Sequence, residues 1–317
     1  MSTAIIQRRF GGPEVLELVD VPTPIAEQLD ADEVLVRVAY AGVNVIDAMT
    51  RSGGGTAAAG VVTLPYTPGW DVAGTVEAIG PGVVDLAVGE RVFGLARFPA
   101  AGGTYAQYVI VPARHLIATP ATLTDEQAGA LPLAAMTAWQ ALGDTTAVQP
   151  GQRVLISGAA GGVGHLAVQI AHHLGATVVA VDSATKLDQL RRLGADIAVD
   201  FRDDEAMAQL EADPADITLS LAAGSREFAV RATRRGGVIV ALGGGADSVT
   251  AAAAAAGVRL ALTHVRTERA WLERVAELAA IGVLVPTVGR VFDLADAADA
   301  HRLLESGRAE GKLVLRA

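Results

Sequence analysis

Cysteine is absent from all 317 residues. That excludes disulfides and every thiolate metal site, whether built of four cysteines or of cysteine with histidine. Aromatic residues are scarce at 4%, so aliphatic and small side chains must fill the interior. No apolar run reaches the roughly 18 residues of a membrane-spanning helix, and Met1 to Arg9 holds no apolar signal core. We therefore expect a cytoplasmic protein with no membrane partner. Positive charge is short too: 25 Lys and Arg stand against 35 Asp and Glu, net -10, with no basic cluster. That balance argues against nucleic acid as a partner. What remains is 51% hydrophobic and 19% charged, which suits a well-packed globular enzyme of about two domains.

The chain is organised around Val154 to Ala171, VLISGAAGGVGHLAVQIA. Val154 to Ser157 reads as a buried parallel strand. Gly158, Gly161 and Gly164 follow with G-x-x-G-x-x-G spacing, opening a helix whose apolar positions Val163, Leu166, Ala167 and Ile170 recur with helical period. A tight strand-to-helix turn needs positive φ, and a diphosphate approaches backbone N–H groups closely only where no Cβ intervenes. The loop residues Gly158, Ala160, Gly161, Gly162 and Val163 are the expected phosphate cradle at a helix N-terminus. A second strand, Thr177 to Val181, ends in Asp182, about 20 residues on, where a ribose-binding group is expected.

Upstream, residues 1–124 look β-rich. Val34 to Tyr40 alternates like a half-buried strand, Trp70 to Ile79 ends in a Gly-Pro-Gly turn, and Gly89–Gly94 and Tyr105–Val111 continue the pattern. Arg51 to Gly60 is small and glycine-rich, a surface loop by composition. From Thr124, a helix cap, the period changes: a helix runs to Leu131, Pro132 breaks or restarts it, and Leu133 to Leu142 continues. Strands at Val154–Ser157, Thr177–Val181, Ile197–Asp200, Ile217–Leu221 and Val238–Leu242 then alternate with helices, the pattern of a doubly wound parallel sheet over 125–265. Val258 to His264 is the candidate edge strand. The tail, 266–317, reads as a helix over Ala270–Ile281, a strand pair, a last helix stopped by Gly307, and a strand over Lys312–Leu315. Having no core of its own, it is expected to return to the N-terminal domain.

Several blocks resemble the medium-chain dehydrogenase/reductase superfamily, in its zinc-independent quinone oxidoreductase branch. They are Phe10–Leu16 (FGGPEVL), Ala41–Asp47 (AGVNVID), Pro68–Gly74 (PGWDVAG), Gly103–Val109 (GTYAQYV), Leu131–Trp139 (LPLAAMTAW), Leu193–Asp196 (LGAD), Ala300–Gly307 (AHRLLESG) and Gly311–Leu315 (GKLVL). With the glycine loop they span essentially the whole chain in order. The resemblance implies an α/β fold: a discontinuous β-rich GroES-like catalytic domain (1–124 and 266–317) and a Rossmann nucleotide-binding domain (125–265). Zinc-dependent relatives place Cys, His and Cys where this chain has Asn44, Trp70 and about Leu133, so no zinc is expected.

Without a Lewis acid the favoured hydride acceptor is one that spreads its own charge, a quinone or an α,β-unsaturated carbonyl. The resemblance puts Asn44, Asp47 and Thr137 at the nicotinamide end, with Asn44 as an orienting donor. It also implies cofactor contacts at Leu242, Gly243 and Lys312. Tyr40, Tyr66 and Trp70 are substrate-pocket residues; either tyrosine could donate a proton or simply pack, and Asp71 looks structural. Asp182 would accept from a ribose 2′-hydroxyl, whereas Ser183 and Lys186 suit a 2′-phosphate; NADP(H) is favoured over NAD(H). Two alternatives remain open, an enoyl or enone reductase of a biosynthetic pathway and a non-catalytic NADPH-binding protein. The family commonly dimerises through Rossmann-domain edges, so a homodimer is expected.

Overall fold

The computed structural model describes residues 1–242, 247–263 and 265–317. The chain divides into two compact units, one of Met1–Ala134 with Arg266–Ala317 and one of Ala135–Val265.

The second unit is a six-stranded parallel sheet, ordered Ile197–Asp200, Thr177–Asp182, Arg153–Ser157, Ala215–Ser220, Thr233–Leu242, Arg259–Thr263. Parallel strands are covered on both faces, which is why they read as near-continuous apolar runs rather than alternating ones. Leu155, Val179 and Val181 pack with Val199, Leu210 and Phe228 in one cluster. The helix Gly164–His173 follows the strand Arg153–Ser157, and its residues from Gly164 to Ala171 are buried. The polyalanine stretch lies in the helix Asp247–Ala256. The expected edge strand is there as Arg259–Thr263, with Leu262 52% exposed; His264 and Gly243 lie outside the described residues.

The first unit is built on Glu33–Val43, an 11-residue strand. It pairs antiparallel with Asp71–Ile79, Tyr108–Pro112 and the terminal strand Lys312–Arg316. The tail thus enters the sheet directly, Leu313 opposite Val43 and Arg316 opposite Tyr40. This register brings three chain ends together: the exit of the long strand at Val43, the start of the terminal strand at Lys312 and the start of the next strand at Asp71. Gly74 allows the long strand and its neighbour to approach, since a Cβ there would lie 2.2 Å from the Arg37 carbonyl oxygen. Beneath the sheet, Val36, Val72, Val92, Val111 and Leu315 form a core with Phe292, Leu294 and Ala300 of the tail.

Two expectations needed correction. Residues 51–60 are not an open loop: Arg51 closes the helix Val45–Arg51 and is 2% exposed, and Gly55–Ala58 forms a helical turn. A hydrogen bond between the Thr50 and Thr56 hydroxyls, 2.9 Å, folds that turn back on the helix, and Gly53 (φ 94°) and Gly55 (φ 49°) supply the reversal. The tail has one strand before its last helix, Val288–Asp293, rather than a pair. Pro286 has no N–H for a ladder, and Val288–Asp293 takes the terminal strand as its parallel partner instead. Among the described residues no helix is long and apolar enough to cross a membrane.

Candidate active site

Asn44 leaves the long strand in extended conformation (φ -129°, ψ 156°) and becomes the N-cap of the helix Val45–Arg51. Asp47, three residues on, returns its carboxylate to the cap: Oδ2 accepts the Asn44 backbone N–H at 2.7 Å. This is the reciprocal half of a capping box. The Asn44 side chain is held separately. Its Nδ2 donates to Asp71 Oδ2 at 2.9 Å, and its Oδ1 accepts from the Lys312 ammonium. Lys312 also donates to the Val43 carbonyl (3.3 Å) and to Asp71 Oδ2 (3.4 Å). Asp71 Oδ1 accepts the Leu133 N–H at 2.7 Å. Asn44, Asp71 and Lys312 are 5%, 0% and 3% exposed. An ion pair so deeply buried is tolerable only because nearly every polar atom in it is hydrogen-bonded.

Asp47 lies in a second buried group. Tyr105 Oη donates to its Oδ2 at 3.2 Å and meets His301 Nε2 at 3.2 Å. His301 Nδ1 lies 3.4 Å from Arg51 Nη1, and Arg51 pairs with Glu305. Burial pushes the Asp47 carboxyl up to about 7, with the Asp71 charge adding to it; the Asn44 N–H, Lys312 and Tyr105 pull the other way. Burial, with the Arg51 charge second, lowers His301 to about 3. Tyr105 is raised well above 10, first by burial and then by the Asp47 charge.

The expected pocket residues separate. Trp70 donates its indole N–H to the Ala100 carbonyl at 2.6 Å and meets the Phe98 ring edge-on. Tyr40 donates its hydroxyl to Glu126 at 3.1 Å, outside the Asn44 group. Tyr66 is buried, its hydroxyl unpaired among the described residues, and it lines a shallow groove with Ile6, Arg8, Val21 and Pro65. Lys312, expected as a cofactor contact, belongs to the Asn44–Asp71 group, its ammonium donating to the Val43, Asn44 and Asp71 oxygens.

In the second unit, Gly158 takes φ 70°, and a Cβ there would meet the Ala222 backbone N at 3.0 Å. At Gly164 a Cβ would lie 2.3 Å from the Gly158 carbonyl oxygen. The glycines therefore close the turn tightly against its own backbone, with Gly161 donating to the Gly158 carbonyl at 3.1 Å. Gly162 and Val163 lead into the N-terminus of the helix Gly164–His173, whose His165 and Ala167 N–H groups are bonded to the Gly161 (3.1 Å) and Val163 (2.9 Å) carbonyls, so the Gly162 and Val163 amides are the candidate donors of the loop. That is a fitting cradle for a diphosphate. Other loop donors are engaged too: Gly158 and Ala159 donate to the Val181 carbonyl at 3.0 and 3.3 Å, and Ala160 N–H donates to Asp182 Oδ2 at 2.9 Å, so these amides brace the loop. Asp182 Oδ1 accepts the Ser183 N–H at 2.8 Å and lies 4.0 Å from the Lys186 ammonium. Asp182 is thus an internal strut as well as a ribose candidate. Leu242 ends the strand Thr233–Leu242, half-buried. Thr137 lies in the helix Pro132–Trp139, 6% exposed.

Sequence reading named the glycine loop and Asn44, Asp47 and Asp71, and it quoted the blocks containing Tyr105 and His301 without giving either residue a role. Their signal was position within those blocks; Arg51 had none, since it was read as loop. Zinc does not fit at the aligned positions. The Trp70 indole is a donor engaged elsewhere, Leu133 offers no ligand atom, and Asn44 Oδ1 already receives a lysine cation. Among the described residues no group of three or more His, Cys, Asp or Glu could hold a metal ion.

Residues 30–121 match the family model described as alcohol dehydrogenase GroES-like domain, and residues 193–315 that described as zinc-binding dehydrogenase. The chain is 31% identical over 333 residues to the quinone oxidoreductase of Sus scrofa, covering 99% of this chain and 98% of that protein. It is 34% identical over 313 residues to the chloroplastic NADPH-dependent alkenal/one oxidoreductase of Arabidopsis thaliana, covering 96% and 77%. Polyketide synthase GfsB of Streptomyces halstedii matches at 38% over 298 residues, 90% of this chain, which spans only 5% of that protein's length. The solved quinone oxidoreductase from Coxiella burnetii superposes with a TM-score of 0.90 at 32% identity, covering 100% and 99% of the two chains.

Fold and relatives together define an oxidoreductase with a GroES-like domain and a Rossmann-type parallel-sheet domain. The chain belongs to the medium-chain dehydrogenase/reductase superfamily, in its quinone oxidoreductase branch.

Proposed function

We propose that this protein is a zinc-independent, NADPH-preferring reductase that moves a hydride from nicotinamide to a quinone or an α,β-unsaturated carbonyl. The carrying observation is the buried Lys312–Asn44–Asp71 group. Asn44, which aligns with a zinc ligand of the zinc-dependent relatives, has its Oδ1 engaged by the Lys312 ammonium, itself bonded to the Val43 and Asp71 oxygens. With Asn44 so engaged and no ligand atom offered by Trp70 or Leu133, the acceptor that suits this centre is one that delocalises its own negative charge.

NADPH supplies the hydride when bound. The glycine loop would hold its diphosphate on the amides of Gly162 and Val163 at the helix N-terminus, and Ser183 and Lys186 would serve the ribose end. The Lys186 ammonium lies 4.0 Å from Asp182 Oδ1, a positive charge that lessens the repulsion a 2′-phosphate would meet there, and the Arabidopsis relative is named for NADPH. Asn44, fixed from both sides, orients the acceptor end together with Asp47, and Thr137 serves the nicotinamide pocket. Leu262, exposed on the sheet edge, supports a homodimer joined edge to edge.

The likeness to a stretch of a polyketide synthase favours a second reading, an enoyl reductase acting on biosynthetic intermediates. Anaerobic nicotinamide oxidation with a simple quinone, a simple enone and an enoyl thioester separates them. Turnover with the first two supports the proposal; turnover with the thioester alone favours the second reading; cofactor binding with no turnover on any of the three refutes both and leaves a non-catalytic binder.

A further inference from the structure

A run of buried hydrogen bonds in the first unit joins residues lying 58 to 250 positions apart in sequence. Its direction is set at one end. A guanidinium only donates, so Arg51 Nη1 makes His301 Nδ1 the acceptor at 3.4 Å. The neutral imidazole then carries its hydrogen on Nε2 and donates to Tyr105 Oη at 3.2 Å. Tyr105 is left to donate its own hydrogen to Asp47 Oδ2 at 3.2 Å. The same oxygen receives the Asn44 N–H. The other oxygen, Asp47 Oδ1, is buried and has no hydrogen-bond partner among the described residues.

We infer that Tyr105 and His301 are positioning residues that act through Asp47: they complete a one-way relay from Arg51 that occupies Oδ2, confines the exchangeable proton of Asp47 to Oδ1, and so holds Asn44. The inference rests on the reading of Asn44 as an acceptor-side residue. A proton can join or leave Oδ1 without breaking either bond at Oδ2. Its charge is still felt at Asn44, because an N–H bonds a carboxylate more strongly than a neutral carboxyl. The groups that face Asp47 are Asn44 on its own helix, Asp71 and Lys312 from the sheet, and Tyr105. Tyr66, whose hydroxyl feels the charges of both Asp47 and Arg51, is a further neighbour. Behind the relay stand Arg51 and Glu305. A burial-raised carboxyl, at about 7, puts the change of state near neutral pH.

The test is an infrared pH titration of protein carrying isotope-labelled aspartate, with Asp47→Asn assigning the band, beside the pH profile of kcat/KM for the acceptor. Tyr105→Phe and His301→Leu each remove support from Oδ2, so the Asp47 midpoint moves up by about one pH unit and the matching limb of the profile moves with it. His301→Gln repeats the acceptor–donor pattern of the neutral imidazole and keeps the midpoint within a few tenths of wild type. The KM for cofactor stays unchanged in all three. An unmoved midpoint in a folded Tyr105→Phe overturns the inference, as does an equal shift in His301→Gln and His301→Leu. Should Tyr105→Phe not fold, the His301 pair decides. If the band shifts as expected while no conjugated acceptor is turned over, the relay stands and the proposed reaction falls.

Discussion

Replacing Lys312 with methionine keeps most of the stem volume and deletes the ammonium. In the native protein that ammonium serves Asn44 Oδ1, the Val43 carbonyl and Asp71 Oδ2. Its loss leaves Asp71, fully buried, as an anion with only the Asn44 amide and the Leu133 N–H as donors. Breaking a buried pair by removing one partner costs about 3–5 kcal/mol, a large fraction of the roughly 5–15 kcal/mol that holds a domain folded. The assay is urea unfolding read by tryptophan fluorescence in a Trp139→Phe background, where the remaining Trp70 and Trp271 both report on the first unit. Adding Asp71→Asn removes the stranded charge, so the double variant should lose less than the sum of the single losses, by about 1–3 kcal/mol of coupling. Acceptor KM in Lys312→Met should rise, since Asn44 loses one of its two side-chain restraints, while NADPH binding is retained. A loss below about 1 kcal/mol, or strict additivity of the two substitutions, refutes the claim that the pair is buried and mutually dependent.

Gly164→Ala puts a Cβ against the Gly158 carbonyl oxygen at 2.3 Å, so NADPH affinity by calorimetry should fall by at least about tenfold. Lys186→Ala should weaken NADPH binding roughly tenfold while leaving NADH nearly untouched; equal losses for both would move the 2′-phosphate contact elsewhere. His301 titrates at about 3 when folded and near 6.5 when free, so the unfolded chain takes up a proton that the folded one refuses. Its contribution to stability is complete above about 6.5 and drains as pH falls toward 3, and His301→Gln should be less acid-sensitive across that window. Asp47 behaves oppositely, raised from 3.8 to about 7: stability falls as pH rises from about 4 to 7, at roughly 1.4 kcal/mol per pH unit. Asp47→Asn, which keeps an oxygen for Tyr105 and Asn44, should flatten that slope.

The parallel sheet was legible because buried strands such as Val154–Ser157 and Thr177–Asp182 leave apolar runs, and the glycines between them have one economical use. The return of the tail was legible from its lack of a core. Ser2–Gln7, the hairpin partner of Leu16–Val21, went unread because its alternation is short. The buried group around Asn44 was visible only in part. Asn44 and Asp47 lie within one motif, whereas Lys312 lies 268 residues from Asn44 and His301 250 from Arg51. No local pattern says that an isolated lysine at a strand start will be buried, or that a helical histidine will face a tyrosine two hundred residues upstream. Arg51 misled for a physical reason: it opens a glycine-rich stretch, and its burial depends on Glu305, which only the returning tail provides.

Hydride transfer to a conjugated acceptor without a metal is tested by steady-state NADPH oxidation by a quinone or enone, using protein dialysed against a strong chelator and assayed for metal content. The expected result is unchanged kcat at a metal content far below one ion per chain, with no gain on adding zinc. Activity that disappears on chelation and returns with zinc would contradict it.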